Sequence, residues 1–314
     1  TVGVPYERLT AEGVAALYPG ISLAVFGPPK RRDAPDFGQP VPGRISGGVL
    51  IPASGYVSDP QLASHNLMAA ALSRGAQFRF GARVGRIENQ AGQVSGVVLD
   101  DGTRISAPVV VNAAGPHSAL SIDLAGISEA LRIQTRAERH EVVYLPAPEG
   151  YLAGGNGFLV DLDAGIYARP DGQDLLIGTA DPDCDKPDVV DPDDFSQQLS
   201  EQWTTQAHRA AQRFPSLGIE NTARGTVGLY DVSNDWIPVY DRTPLEGFYL
   251  AIGTSGNQFK NAPMVGELMA KVIMKGVGHD TDPATLDLPE VGRAVSLAFY
   301  SRNRQIQTTN SVLA

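Results

Sequence analysis

The segment Gly247 to Met274, GFYLAIGTSGNQFKNAPMVGELMAKVIM, constrains the fold more than any other, because it joins an apolar strand to a helix through a tight polar turn. Phe248 to Ile252 is a short apolar run of the buried-strand type, and from Met264 onward apolar residues recur at helical spacing. Gly253 and Gly256 free the backbone to bend and to approach a ligand closely. Asn261 is the expected N-cap of the helix. A helix start leaves N–H groups unpaired and carries partial positive charge, so the turn can hold a phosphate, a carboxylate or the anionic edge of a ring, with the Lys260 ammonium beside it. An ordinary βα turn with a surface lysine has the same spacing.

Around this unit, 314 residues with 42% hydrophobic and 19% charged content suffice for a sizeable core and one or two domains. A net charge of −10 with scattered Lys and Arg argues against a nucleic-acid surface. No apolar run approaches the ~20 residues of a membrane-spanning helix, so no integral membrane span is expected. Cys184 is the single cysteine, which excludes an intrachain disulfide, and neither a signal peptide nor a metal-ligand cysteine pair is evident. A cytoplasmic protein is the expectation. The chain opens Thr1-Val2-Gly3, as a processed or excised piece of a longer protein would.

Leu9 to Leu17 has weak helical spacing stopped by Pro19-Gly20, and Pro28 to Pro42 reads as a proline-rich connector. After the apolar Gly47 to Pro52 and Gly55-Tyr56-Val57, Asp59-Pro60 signals a capped helix running to about Arg74 and ending at Gly75, with Leu62, Leu67, Met68 and Leu72 available for burial. Phe78 to Val84, Arg86 to Glu88, Val94 to Leu99 and Arg104 to Ser106 are strand candidates around hairpin signals at Ala91-Gly92 and Asp100-Asp101-Gly102. Val109 to Val111 lacks any polar position, the signature of a strand buried on both faces of a parallel sheet, and it runs into the small residues Asn112-Ala113-Ala114-Gly115-Pro116. Ligands in open α/β sheets sit beyond the carboxyl ends of strands, although a plain turn out of the core reads the same way. Val142 to Leu145, Gly157 to Val160, Gly165 to Ala168 and Asp174 to Thr179 are further strands. Asp194 to Phe214 reads as a helix, and Ala223 to Tyr230 and Trp236 to Tyr240 return to β.

Of the histidines, His117 follows the small-residue turn and is placed to touch a ligand there, whereas His65, His140, His208 and His279 show no ligand spacing and read as surface or satisfied side chains. Cys184 lies in an acidic loop that raises a thiol pKa, which argues against a nucleophile. The Asp181 to Asp194 cluster lacks the regular ligand pattern of a calcium loop and reads as solvated, so no metal site is expected.

The ordered pieces GGVLIP, GYVSDP, VGRIENQAGQVSGVVLDDGTRISAPVVVNAAGP, GIYARPDGQDLLIG and RGTVGLYDVSNDWIPVYDRTPLEGFYLAIGTSGNQFKNAP resemble the FAD-dependent amino-acid and amine oxidoreductases that include glycine oxidase, sarcosine oxidase, dimethylglycine dehydrogenase and D-amino-acid oxidase. The resemblance covers roughly residues 1 to 275. Members of that family open with a strand and a G-x-G-x-x-G turn for the FAD pyrophosphate, followed by an acidic residue. That pattern is absent here, and Ala153-Gly154-Gly155-Asn156-Gly157 does not supply it. The resemblance therefore implies the back portion of a two-domain flavoprotein of α+β or α/β class, part of an FAD-binding sheet plus an antiparallel-sheet substrate domain. The implied order is 1–46 connector and helix at the edge of the substrate domain, 47–125 part of the FAD-binding domain, 126–222 substrate domain, 223–280 return to the FAD-binding domain, and 281–314 C-terminal tail. The Gly-rich front is expected on a second polypeptide or a segment lost from this one.

By resemblance, Val84 meets the adenine side of FAD, while Ala113, Ala114 and Gly115 lie along the cofactor. Gly228 and Tyr230 flank the flavin ring, and glycine at 228 implies no covalent flavin bond there. Gly253, Ser255, Gly256, Asn257, Gln258, Phe259 and Lys260 follow the pyrimidine edge, with Lys260 also matching a lysine that binds the substrate carboxylate in the sarcosine-type branch. Tyr230 together with Lys260 favours that branch. Tyr167 and Arg169, two apart on a strand candidate and hence on one face, resemble substrate-pocket residues, though a solvated edge strand reads alike. Ala180 falls about where sarcosine oxidase has the lysine that promotes reaction with oxygen, which leans toward a dehydrogenase. The implied activity is FAD-dependent oxidation of a small amino acid or N-methylated amine by hydride transfer to flavin N5. The alternative is a non-catalytic fragment or subunit that keeps the substrate-domain fold and cannot hold FAD alone.

Overall fold

The computed structural model describes residues 3–152, 157–276, 278, 285–288 and 292–308. The Ala153 to Asn156 stretch and His279 lie outside the described residues. Strand β1 (Glu7–Thr10) leads into helix α1 (Ala11–Leu17), where the Thr10 hydroxyl accepts the Gly13 N–H and so caps the helix. Strands β2 (Ala24–Val25), β3 (Val41–Arg44) and β4 (Gly47–Leu50) follow, with β4 pairing back on β1. Helix α2 (Pro60–Ser73) begins as its Asp59-Pro60 start predicts, the Asp59 carboxylate accepting the Leu62 N–H at 2.8 Å. Its apolar residues do not reach the core, however: no residue of α2 is buried, and Leu62 and Leu67 are each 54% exposed.

A meander of β5 (Val84–Gln90), β6 (Gln93–Leu99) and β7 (Arg104–Ser106) comes next. The expected strand over Phe78 to Val84 does not form. Residues 78–83 precede β5 as irregular chain, with Phe78 and Phe80 stacked on each other and open to solvent rather than set into a ladder, and only Val84 joins the strand. Strand β8 (Val110–Asn112) and helix α3 (Ser118–Leu124) flank the small-residue turn. Then come the long β9 (Thr135–Pro146), β10 (Leu159–Asp161), β11 (Ile166–Asp171), β12 (Asp174–Thr179), helix α4 (Glu201–Arg213) and β13 (Gly225–Ser233). Strands β14 (Val239–Arg242) and β15 (Phe248–Ile252), helix α5 (Ala262–Lys275) and the hairpin β16 (Thr285–Leu288) and β17 (Arg293–Ser296) complete the described chain.

Two sheets position the site. The five-stranded antiparallel sheet has the order β10-β11-β12-β9-β13, and the three-stranded mixed sheet has the order β14-β15-β8, with β8 and β15 parallel. The parallel pairing agrees with the polar-free Val109 to Val111 run, but burial on both faces does not follow, because Val109 and Val111 stay partly exposed and β8 is an edge among the described residues. The larger sheet buries one face: Val143, Leu145, Ile166, Ala168, Leu175 and Ile177 pack against Trp203, Ala207, Ala210 and Phe214 of the α4 region and Val14 and Tyr18 of the α1 region.

Helix α4 starts at Glu201 and not near Asp194: Ser200 is its N-cap, its hydroxyl accepting the Gln202 N–H at 3.2 Å, and a partner distant in sequence reinforces the start. The fully buried Glu141 carboxylate of β9 accepts the Ser200 and Trp203 N–H groups at 3.0 and 2.9 Å, so a remote anion caps the helix where its dipole is positive. The acidic loop before α4 is likewise pinned rather than free: Asp185 receives Arg209, and Asp188 lies 3.5 Å from Arg139.

Candidate functional site

Strand alternation places Tyr167 and Arg169 of β11, Gly178 of β12, Glu138 and His140 of β9, and Gly228 and Tyr230 of β13 on the face of the antiparallel sheet opposite the apolar core. Aromatic and ionisable side chains gather there beside the aliphatic Leu176 and Val142. A methyl group added at Gly178 would sit 2.2 Å from the Tyr167 ring, so that ring lies directly over the strand backbone. The Tyr167 and Tyr230 hydroxyls interact, and burial, the largest influence on each, pushes both phenols above the ordinary range, which keeps them neutral hydrogen-bonding groups.

Tyr230 carries the sheet into the turn after β15. Its ring sits against the backbone of Gly256, where an added Cβ would be 2.3 Å from a ring carbon, and Gly256 has φ +72°. Only glycine satisfies both the contact and the backbone angle. Beyond it, the Lys260 ammonium donates to the Asn257 carbonyl at 2.6 Å. Asn261 occupies the position before α5 but makes no capping bond; its side-chain amide donates to Gln258 Oε1 at 2.8 Å, which departs from the expected N-cap role because Asn261 has helical backbone angles.

Asp231, on the opposite face of β13 from Tyr230, fixes this arrangement. Its carboxylate accepts the Gly253 N–H at 2.6 Å and the Ser118 hydroxyl at 3.1 Å, and its carbonyl accepts the Ser255 N–H at 2.8 Å. One buried residue thus joins the antiparallel sheet, the 253–256 turn and the start of α3 just after the Ala113-Ala114-Gly115 turn. Burial raises the Asp231 carboxyl to about 6, against the pull of the Gly253 and Ser118 hydrogen bonds. The sequence offered no sign of this role beyond an acidic residue inside an apolar strand.

The remaining candidates group less tightly. Ala113, Ala114 and Gly115 form the turn after β8, held by Asn112, whose side chain donates to the Ser118 carbonyl and accepts the Ala114 N–H. Val84 opens β5, and the neighbouring Arg83 shares Asp193 with His117 at 3.0 and 2.9 Å, so that the Val84 strand and the small-residue turn meet across the acidic loop. Arg169 is half-buried, donating to Asp171, and its guanidinium lies 4.8 Å from the ring centroid of Tyr56, an aromatic that sequence reasoning did not single out. Phe259 is exposed beside Lys260. His140 corrects the sequence expectation: it is buried, and neither ring nitrogen has a hydrogen-bond partner. Cys184 behaves as expected in direction, its thiol raised first by burial and then by Asp185.

The geometry suits an extended ligand with an anionic edge. Open space lies over Gly115 and Gly228, where an added Cβ would meet nothing within 4 Å, and the buried Asn257 side-chain amide has an unused donor. Such open glycines and an orphan donor beside a helix start fit a flavin cofactor.

Comparison with known proteins extends this reading. The family model for the FAD dependent oxidoreductases, DAO, matches residues 1–272. The D-amino acid dehydrogenase of Rhizobium rhizogenes is 32% identical over 126 residues, 40% of this chain and 26% of that protein. The D-amino acid dehydrogenase of Cereibacter sphaeroides is 27% identical over 252 residues, 80% of this chain and 50% of that protein. These matches span about a quarter to a half of the length of those relatives. Among solved structures, L-proline dehydrogenase from P. horikoshii superposes with TM-score 0.68 at 23% identity, over 87% of this chain and 66% of its own. Glycine oxidase from Geobacillus kaustophilus gives 0.66 at 24% identity, over 98% and 69%. At those identities the structural likeness is one of fold.

Proposed function

Because the chain belongs to the FAD-dependent oxidoreductase family, we propose that it oxidises a small amino acid or N-methylated amine, and that the polar face of the antiparallel sheet is its substrate side. The observation that carries this reading is the convergence of Tyr167, Tyr230 and the Gly253 to Lys260 turn, tied together through Asp231. Ala113, Ala114, Gly115, Gly228 and the 253–260 turn would hold FAD, with Val84 toward its adenine end. Bound there, FAD would supply a hydride acceptor for the carbon beside the substrate nitrogen, and the imine left on the substrate would hydrolyse.

The chain's own residues bind and orient. Lys260 releases the Asn257 carbonyl and pairs with a substrate carboxylate, a stronger charge-assisted bond than the one it leaves. Tyr167 and Tyr230 stay neutral and cover the reacting end, excluding water. Arg169, steadied by Tyr56 and Asp171, sets the outer wall. The positive end of α5 favours negative charge developing at the turn. Lys260→Met is expected to lower kcat/KM for carboxylate-bearing amines by roughly 10- to 150-fold, about 1.5–3 kcal/mol, while leaving the flavin spectrum in place. Unchanged kinetics would remove Lys260 from the site.

We further propose that a polypeptide segment bearing the Gly-rich FAD turn packs on the open edge of β8 and around α2. The support is that no residue of α2 is buried, with Leu62, Leu67 and Leu72 exposed, and that Val109 and Val111 beside the β8 edge are exposed as well. The 314-residue chain, freed of other polypeptides, is therefore expected to lose FAD during gel filtration. Stoichiometric flavin retained by that chain would contradict the docking. Among the described residues no helix is long and apolar enough to cross a membrane.

A further inference from the structure

The connection from β13 to β14, the turn before α5 and the segment after β17 meet around a cavity of about 360 Å³ that the reaction as outlined does not use. A volume of this order suits a small ligand. Trp236, Ile237 and Pro238 line one side, Gln258 and Asn261 a second, and Phe299, Tyr300 and Gln307 the third. Among the described residues no charged side chain lines it.

Its walls are fixed without a ligand. The Arg304 guanidinium forks onto the buried Asp235 carboxylate, Nε to Oδ2 at 2.9 Å and Nη2 to Oδ1 at 2.6 Å, and also donates to the carbonyls of Ile237 and Pro238. Arg302 donates to the buried Asp241 carboxylate at 3.1 Å and to the Arg242 carbonyl at 2.7 Å. Two buried ion pairs therefore clamp the segment that carries Phe299 and Tyr300 onto β14 and the connection before it. Trp236, which packs with Val232 and Tyr230, holds φ +61°, an angle that a bulky side chain rarely adopts. Such strain collects at ligand sites.

The lining decides what can enter. The rings of Tyr240, Tyr300 and Phe299 run in series with centroids 5.1 and 5.0 Å apart, and the last of them, Phe299, stays 52% exposed. A flat ring laid on Phe299 gains contact area that water now covers. Among the described residues the Asn261 amide nitrogen donates once, to Gln258 Oε1 at 2.8 Å, and that of Gln307 once, to the Gln305 carbonyl at 2.9 Å. Each carries a second N–H for an acceptor. A charged ligand would shed its water here without meeting an opposite charge, whereas a neutral ring bearing carbonyl oxygens answers both the aromatic faces and the amide donors.

We propose, resting on the function proposed above, that this cavity seats a planar, uncharged ring of the quinone class, and that this quinone is the electron acceptor. Gln258 and Asn261 belong to the turn and helix start read above as the flavin edge, so the seats of acceptor and cofactor share one short segment of chain. There the quinone takes two electrons and two protons from reduced FAD, both of its carbonyls becoming hydroxyls, and FAD is regenerated.

Tryptophan fluorescence tests the seat in the flavin-free 314-residue chain, with menadione, a bicyclic quinone, as the probe. The chain has two tryptophans, Trp236 at the cavity and Trp203 in the core beneath α4. Saturable quenching is expected, and Trp236→Phe is expected to abolish it. Phe299→Ala should weaken menadione binding by about tenfold, whereas Phe299→Tyr, which keeps a ring, should retain it. A sulfonated menadione, for which the cavity supplies no cation, should bind more weakly than menadione itself. Quenching that does not saturate, that survives Trp236→Phe or that is equally tight in Phe299→Ala overturns the proposal, as does tighter binding of the sulfonate. Exclusion of menadione from the complete protein also overturns it, since the cavity is then a seat for polypeptide. In the flavin-loaded complete enzyme Phe299→Ala should raise the KM for menadione about tenfold and leave that for the amine unchanged, and an unaltered menadione KM contradicts the acceptor role. The quenching arm needs no flavin, so failure of the redox reading and failure of this one are told apart.

Discussion

Replacing Asp231 with alanine is expected to cost about 3 kcal/mol of stability and to release the Gly253 to Ser255 turn from the sheet. The carboxylate answers the buried Gly253 N–H and Ser118 hydroxyl, and alanine leaves both without a partner inside the protein. Burial places the Asp231 carboxyl at about 6, above its ordinary value of 3.8, so the folded state holds this proton more tightly than the unfolded chain does. The stability it contributes is therefore fully present below pH 3.8 and declines as the pH rises through about 6. The cost of Asp231→Ala should accordingly be larger at pH 5 than at pH 8. Denaturant unfolding at the two pH values measures this, and equal costs would show that Asp231 does not titrate in that window. Because the same residue positions the turn, the variant should also lose flavin more readily than it loses its antiparallel sheet.

The second large effect concerns the electron acceptor. Ala180 is buried at the end of β12, its N–H donating to the Gly165 carbonyl at 3.0 Å, and it brings no cation to the site. At the place beside the flavin that the resemblance assigns to it, an alanine supplies no cation to superoxide developing during reoxidation, and loss of one such electrostatic partner slows a step by on the order of 10²-fold. Oxygen is thus expected to reoxidise the reduced enzyme slowly, while a dye or quinone does so fast, as stopped-flow mixing with aerated buffer would reveal. Ala180→Lys should speed the oxygen reaction, with Asp181 beside the new ammonium helping it stay charged against desolvation. Rapid reoxidation of the unaltered enzyme by oxygen would return the reading to an oxidase.

Much of this was legible in the sequence where local chemistry decides the outcome. Strands β12 and β15 fall where their turn punctuation and apolar runs put them, and Asp59-Pro60 starts α2 as its capping chemistry demands. The turn from Gly253 to Lys260 was recognisable from its glycines and the helix that follows. What escaped was set by partners distant in sequence. The Ser200 N-cap of α4 is a local signal, but the Glu141 carboxylate that also receives N–H groups at that helix start lies some sixty residues earlier. His140 read as a surface or satisfied side chain because its neighbours, the stacked ring of Tyr230 and the carboxylate of Asp181, are brought beside it only by the strand order β12-β9-β13. Phe78 and Phe80 misled for the opposite reason: their β-forming side chains had no strand to pair with, and the chain stayed irregular. The apolar residues of α2 were read as core and instead lie at the surface, as do Val109 and Val111, while Val110 between them packs on the core.

The central claim is that the face built by Tyr167, Tyr230 and the 253–260 turn presents a small amine to FAD, and the visible spectrum of the complete protein under anaerobic conditions tests it most directly. Addition of N-methylglycine or a comparable small amino acid should bleach a bound flavin, and a quinone added afterwards should restore the colour. A complete protein that takes up no flavin, or a bound flavin that no small amine or amino acid reduces, would contradict the account.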